Sequence, residues 1–444
     1  MTAREALLAR NRAIYLPAIS KSFAEFAEGG SFKRPLPLSA QDLNFLDPRS
    51  RAFHYPYALY SAGQAAKSAG ATSAKPTIVS TRSRSQTIVV GDSGGFQVQG
   101  GTISFEGAAT TRRMMQWMEG NTDYSMVLDF PTGGISSGMM RQHTERLRKS
   151  RYGLAARVAA NGLSADFNAC LLQTQINNKQ FLRERTPGAT AFLNVLQGRN
   201  EAESKAWYDA VKHYPFEGWS FAGAHQMHFS LILRRLIEMR DEGLLQKFDW
   251  LHILGVSRLD VGCLFTVLQR SIRQHVNPNF QISFDSASPF KTGGNYQIYT
   301  GHTVDGSSWS THSQNLAEHG SANDNRRLND LCRELLPSTK PKRSNSHQWG
   351  ANSRVGTLPV RDLCVGHPDN NLDNDGSFLL MHHNIETLIR AHERAHAVYD
   401  GSDPTLIPPK VRAVATMIEM VFASPVPLAN IEEWAEHLDM MARA

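Results

Sequence analysis

Three carboxylates stand at the ends of apolar runs. "QTIVVGD" (residues 86–92) ends on Asp92, "YSMVLDF" (124–130) carries Asp129 near its end, and "FQISFDS" (280–286) carries Asp285. A fourth run, "AFLNVLQG" (191–198), delivers Gln197. Carboxylates that share one cleft raise one another's pKa, so one can hold a proton while its neighbour stays ionised. That division of labour is what general acid–base catalysis beside a nucleophile requires. Any one of these aspartates alone reads equally well as a helix N-cap. The three together point to a site. Asp92 is followed by Ser93, Gly94, Gly95 and Phe96, a stretch whose glycines let the backbone approach a neighbour closely.

The surrounding elements must bring these residues together. From about residue 85 to 300 the chain alternates. Short runs rich in β-branched and aromatic residues (86–92, 124–130, 191–198, 218–223, 250–256, 280–286) are separated by longer stretches of helical period. The helical stretches are 110–120, 141–162, 201–214, 230–248 and 258–275. Repeated strand–helix units predict a parallel sheet. At least six units without a reversal of order predict an α/β fold and favour a (β/α)8 TIM barrel with insertions over an open doubly wound sheet, a choice periodicity alone leaves open; in such a barrel strand ends and the loops after them build the active site. The predicted organisation is a barrel core over residues 1–300, with an N-terminal extension over about 1–80. A polar, Ser- and Asn-rich insertion, partly mobile, follows over 301–360. Residues 361–444 supply the remainder of the barrel and a small C-terminal helical, zinc-binding-like subdomain.

Bulk properties narrow the class. The chain has 444 residues, 41% hydrophobic and 20% charged, enough for a sizeable core. No apolar run reaches the about 20 residues needed to span a bilayer, and the N-terminus lacks the apolar core and cleavage site of a signal peptide. A cytoplasmic protein without membrane contact is expected. Cys170, Cys263, Cys332 and Cys364 form no C-x-x-C pair, and no disulfide is expected in such a compartment. The net charge of +6 permits a polyanionic partner without requiring one. Lys340, Lys342, Arg343 and Arg354 in the insertion read either as phosphate contacts or as a solvated loop.

Five segments in order resemble the tRNA-guanine transglycosylase superfamily. Asp-Ser-Gly-Gly-Phe-Gln (92–97) is similar to its signature, "MVLDF" (126–130) to its base-reading segment and "NVLQG" (194–198) to its Val-Gln-Gly segment. "HILGVS" (252–257) is similar to its Met-Gly-Val-Gly segment, and "FDSASPFKTGGN" (284–295) to its nucleophile segment. The resemblance covers roughly residues 85–300 and a patch near 378–400. It implies a TIM barrel that exchanges a purine base on an intact polynucleotide by two-carboxylate glycosyl transfer. On this resemblance Asp285 is the nucleophile and Asp92 the general acid/base. Ser93, Gly94, Gly95 and Phe96 wrap the base, Leu254 and Gly255 form the opposite face, Asp129 and Gln197 read the guanine edge, and Ala222 and Gly223 line the pocket. Lys291 stands where the family has an arginine, so phosphate would meet a point charge in place of a fork.

Two departures refine the expectation. The family's Gly-Gly-Leu-Ala-Val-Gly-Glu loop is "GWSFAGAH" (218–225) here, and the acid at its end is replaced near His225. That loss points to a neutral incoming base such as 7-cyano-7-deazaguanine. The family's Cys-x-Cys-x-x-Cys zinc site is absent. Asp362, Cys364, His367 and His383 replace it with changed ligand types, all able to bind a structural Zn2+; no organic cofactor is expected. With the long insertion, these departures resemble the DpdA branch, which places 7-deazaguanines into DNA. DNA is therefore the expected partner, with tRNA as the alternative. A homodimer and accessory DNA-modification proteins are further expected partners, and a duplex substrate would need its guanine flipped out.

Two rivals come from other classes. His392-Glu393-x-x-His396 is a formal HExxH on a helical stretch, the pattern of a zinc protease. Arg394 between the ligands and the absence of a third ligand at a family spacing argue for a polar helix face instead. A catalytically dead nucleic-acid-binding barrel is the other rival. Two acids in the cleft would weaken phosphate binding, which argues against it.

Overall fold

A computed structural model of the chain describes residues 2–66, 75–132, 167–337, 348–364 and 374–442. Eight strands close into an all-parallel barrel in chain order. They are β1 (Ile14–Ile19), β2 (Tyr57–Ser61), β3 (Ile88–Asp92), β4 (Tyr124–Met126), β5 (Ala191–Leu196), β6 (Gly218–Phe221), β7 (Trp250–Ile253) and β8 (Gln281–Ser286). Helices surround them, so the fold is a (β/α)8 barrel. The strands are buried on both faces, as a barrel lined by side chains and wrapped by helices demands. The helical stretch 141–162 lies outside the described residues.

β3 to β8 are the six strands legible from periodicity. β1 and β2 lie within residues 1–80, so that stretch is part of the barrel wall. Pro17 stands inside β1, where an unpaired N–H would weaken a central strand. The ladder accommodates it at a hand-over: pairing with β8 runs from Ile14 to Pro17, and pairing with β2 begins at Ala18.

The two ends of the barrel differ. At the N-terminal end Tyr124 stacks on Trp250 with ring centroids 4.0 Å apart. Arg4, from the first helix, lies 5.2 Å from the Trp250 ring and donates to the Tyr124 hydroxyl at 2.6 Å. Two rings and a cation thus pack together at this end. A polar layer follows inside the barrel: Ser220, His252 and Ser283 are neighbours in register and each is fully buried. Above it, at the C-terminal end, come Asp92 and Asp285.

The stretch after β8 is a folded subdomain. β9 (Gln297–Val304) pairs antiparallel with β10 (Trp309–Asn315) and β11 (Gln348–Gly350). Ile298, Val304, Trp309, Leu328, Leu331 and Val360 are buried beneath it. Part of the polar composition that suggested a mobile loop belongs to β10, which is only partly buried along its length; residues 338–347 lie outside the described residues. The long helix Asn374–Tyr399 then packs against β1 and the helix Leu259–His275, taking the place of the barrel's eighth helix. Asn384 pins it to the sheet, accepting from Tyr299 N at 2.8 Å and donating to the Gln297 carbonyl at 3.0 Å. Among the described residues no helix is long and apolar enough to cross a membrane.

Candidate active site

The C-terminal mouth gathers the carboxylates. Asp92 is the last residue of β3, in register with Ser61 of β2. Asp285 is the penultimate residue of β8, in register with Leu16 of β1. Side chains alternate between barrel wall and interior, so these registers turn both carboxylates inward. Burial raises the pKa of Asp92, and the nearby charge of Asp285 adds to the rise. The Ser61 hydroxyl, the Gly94 N–H at 3.3 Å and the nearby His252 oppose it. Asp285 is 7% exposed. Its Oδ1 accepts from Gly255 N at 2.9 Å and from His252 Nε2 at 3.2 Å.

Asp129 lies just past β4 and is buried. Gln197 Nε2 donates to its Oδ2 at 2.7 Å. Burial pushes Asp129 up to about 7, against the Gln197 hydrogen bond and with a contribution from Asp92. The three acids thus share one electrostatic environment.

The two glycines after Asp92 are required by packing. Gly94 has φ +89°, and a Cβ there would stand 2.7 Å from the Gly63 Cα. A Cβ on Gly95 would meet the Asp129 carbonyl at 2.6 Å. The close approach they permit is between this loop and the backbones after β2 and β4. Ser93 is buried, and its hydroxyl has no hydrogen-bond partner among the described residues. Phe96 stands out from the loop at 70% exposure. Leu254 and Gly255 follow β7, Leu254 packing partly against the core. Ala222 and Gly223 follow β6. Lys291 is exposed on the short helix Ser288–Gly294 after β8. Lys340, Lys342 and Arg343 lie outside the described residues.

His225, the residue near the lost acid, is fully buried. Its Nδ1 donates to the Ala222 carbonyl at 2.8 Å, which leaves Nε2 to accept from the Ser204 hydroxyl at 2.8 Å. Burial lowers its pKa to about 4, so it is neutral near pH 7 and ties the loop to the helix Glu201–Val211.

No family model matches this chain, and no curated protein matches it with significance. The site must be read from its own geometry.

The described residues hold three of the four expected zinc ligands, Asp362, Cys364 and His383. Among the described residues no group of three or more His, Cys, Asp or Glu side chains is placed to hold a metal. His367 lies outside those residues. His383 spends both ring nitrogens on protein partners: Nδ1 meets the Ser353 hydroxyl at 2.6 Å and Nε2 the Tyr299 carbonyl at 3.0 Å. The Cys332 thiol lies 3.8 Å from its Nε2. A structural Zn2+ on Asp362, Cys364, His367 and His383 is therefore a proposal, tested by metal analysis of the wild type beside Cys364→Ala. The cysteines are all buried and form no disulfide.

The HExxH helix is likewise accounted for by packing. The His392 ring stacks on Tyr15 at 4.9 Å and meets Phe284 edge-on at 5.3 Å. His396 donates from Nδ1 to the His392 carbonyl at 2.8 Å and accepts at Nε2 from Thr266 at 2.7 Å, leaving no ring nitrogen for a metal. Glu393 points outward to Arg10.

Sequence reasoning missed His252, Ser283 and Ser61. His252 and Ser283 sit two residues before Leu254 and Asp285, on the same inward face by strand alternation. That period was the available signal.

Asp129 carries a pH prediction. For the role the resemblance implies, accepting from the N1–H and amine of a guanine-type base, it must be ionised, whereas its value of about 7 leaves it about half protonated at neutral pH. Apparent affinity scales with the competent fraction, so free guanine should bind about tenfold more weakly at pH 6 than at pH 8. Titration calorimetry across that range checks this; a flat profile would remove Asp129 from base recognition.

Proposed function

We propose that this chain is a base-exchange glycosyltransferase, a guanine transglycosylase that replaces guanine in DNA with a 7-deazaguanine such as 7-cyano-7-deazaguanine. The observation that carries the reading is the convergence of Asp92 and Asp285 at the C-terminal end of the barrel strands. One is half-buried with its pKa raised, and the other is oriented by two N–H donors on a single oxygen.

The steps follow from these groups. Asp285 attacks the anomeric carbon; the C1′–N9 bond breaks and a C1′–Oδ bond forms. Asp92, held towards its protonated form by burial, gives its proton to the departing purine. The incoming base loses a proton to Asp92 as its nitrogen attacks C1′, and the C1′–Oδ bond breaks. The exposed Phe96 ring offers one stacking face and Leu254 the other. The Asp129–Gln197 pair supplies an acceptor and an amide for a guanine edge, a charge-assisted contact.

Buried, neutral His225 supports a neutral incoming base, because it sets no carboxylate at the loop's end to hold an amine-bearing one. DNA and tRNA are separated by offering both, side by side, with labelled cyano base and no other protein. Label is expected in DNA; label in tRNA alone would reverse the substrate assignment, and label in neither would overturn the reading. Homodimerisation and accessory proteins belong to the same proposal.

A further inference from the structure

We infer that His252 is a positioning residue for Asp285, one that selects the attacking oxygen and eases departure of the carboxylate in the second half-reaction. This rests on the transglycosylase reading above. The His252 imidazole is fully buried and lies between two interior residues of β8. Nδ1 is 2.9 Å from the Ser283 hydroxyl, and Nε2 is 3.2 Å from Asp285 Oδ1. An ionised Asp285 can only accept. Nε2 therefore carries the proton, and Ser283 donates to Nδ1. The carboxylate thus selects the tautomer, and the Ser283 hydroxyl, able to donate, completes it at Nδ1.

Both donors to Asp285, the His252 Nε2–H and the Gly255 N–H, converge on Oδ1. Oδ2 is left with its lone pairs for C1′. When the C1′–Oδ2 bond forms and the purine leaves, Oδ1 becomes the carbonyl oxygen of an acylal-type ester and keeps its two donors. When the incoming base attacks C1′, the C1′–Oδ2 electron pair returns to the carboxylate, and charge grows on Oδ1 where the donors wait. Preorganised donors act most strongly where charge develops. The same donors temper Asp285 as a nucleophile, so their loss retards breakdown of the covalent intermediate more than its formation.

Two polar variants separate this role from a structural one. In His252→Gln the amide reaches the Nε2 position and keeps a donor on Asp285. In His252→Asn the amide reaches only the Nδ1 position and serves Ser283 alone. We expect His252→Asn to exchange guanine about 10- to 100-fold more slowly, since one of two donors is lost. It should also accumulate a covalent protein–nucleic acid adduct on denaturing gels. His252→Gln should stay within a few-fold of wild type, without adduct. Equal rates in both variants, or equal losses without adduct, would overturn the positioning role while wild-type exchange still stands. Absence of exchange in the wild type would instead overturn the transglycosylase reading.

Discussion

Asp285→Asn is expected to abolish exchange of radiolabelled guanine into nucleic acid, with a loss of roughly 10⁴-fold or more, and to yield no covalent adduct. Asparagine keeps a carbonyl oxygen where Oδ1 stood, so His252 and Gly255 retain their acceptor, and an amide replaces the attacking oxygen. Asp285→Ala deletes both oxygens and strands two buried donors, at about 1–3 kcal/mol each. Against a total stability of about 5–15 kcal/mol that is a serious cost. A dead alanine variant would therefore mix chemistry with folding, and the asparagine variant would not. Thermal melting of the two beside the exchange assay separates the contributions. Full exchange by Asp285→Asn would end the nucleophile assignment.

Asp92→Asn is the second large effect, a slowing of about 10²- to 10⁴-fold, the range supplied by a positioned general acid. The side chain keeps its shape and its contact with Ser61 and the Gly94 N–H, but moves no proton. The deficit should depend on the leaving base. A 7-methylguanine already carries the positive charge that protonation would supply and departs without an acid. Its release by Asp92→Asn should approach the wild-type rate, whereas unmodified guanine should be released far more slowly. An equal deficit on both bases would mean that Asp92 acts by some route other than proton donation.

Much of this was legible because local rules and tertiary demands agreed. "QTIVVGD" and "FQISFDS" are short, β-branched or aromatic, and broken by small or polar residues, and both fold as barrel strands ending in an inward acid. "YALYS" and "IYLPAI" fold as barrel strands too, although the second holds a proline; what makes them strands is the pairing partner on each side. The polar 301–360 stretch hides a sheet for a related reason: β10 is only partly buried, so its composition resembles that of a loop.

Sequence alone determined the repeated strand–helix order, and with it a parallel sheet that delivers Asp92, Asp129, Gln197 and Asp285 to one edge, because a parallel strand always ends on the same side; β1 and β2, set by tertiary pairing, close that sheet into a barrel. Tertiary structure alone decided what each polar group faces. It placed His252 beneath Asp285, spent His383 and His396 on hydroxyls and carbonyls, and pushed Asp129 up towards neutrality. Spacing along a chain sets which face a side chain leaves from. Its partners and its hydration come from strands and helices far away in sequence, and these set its chemistry.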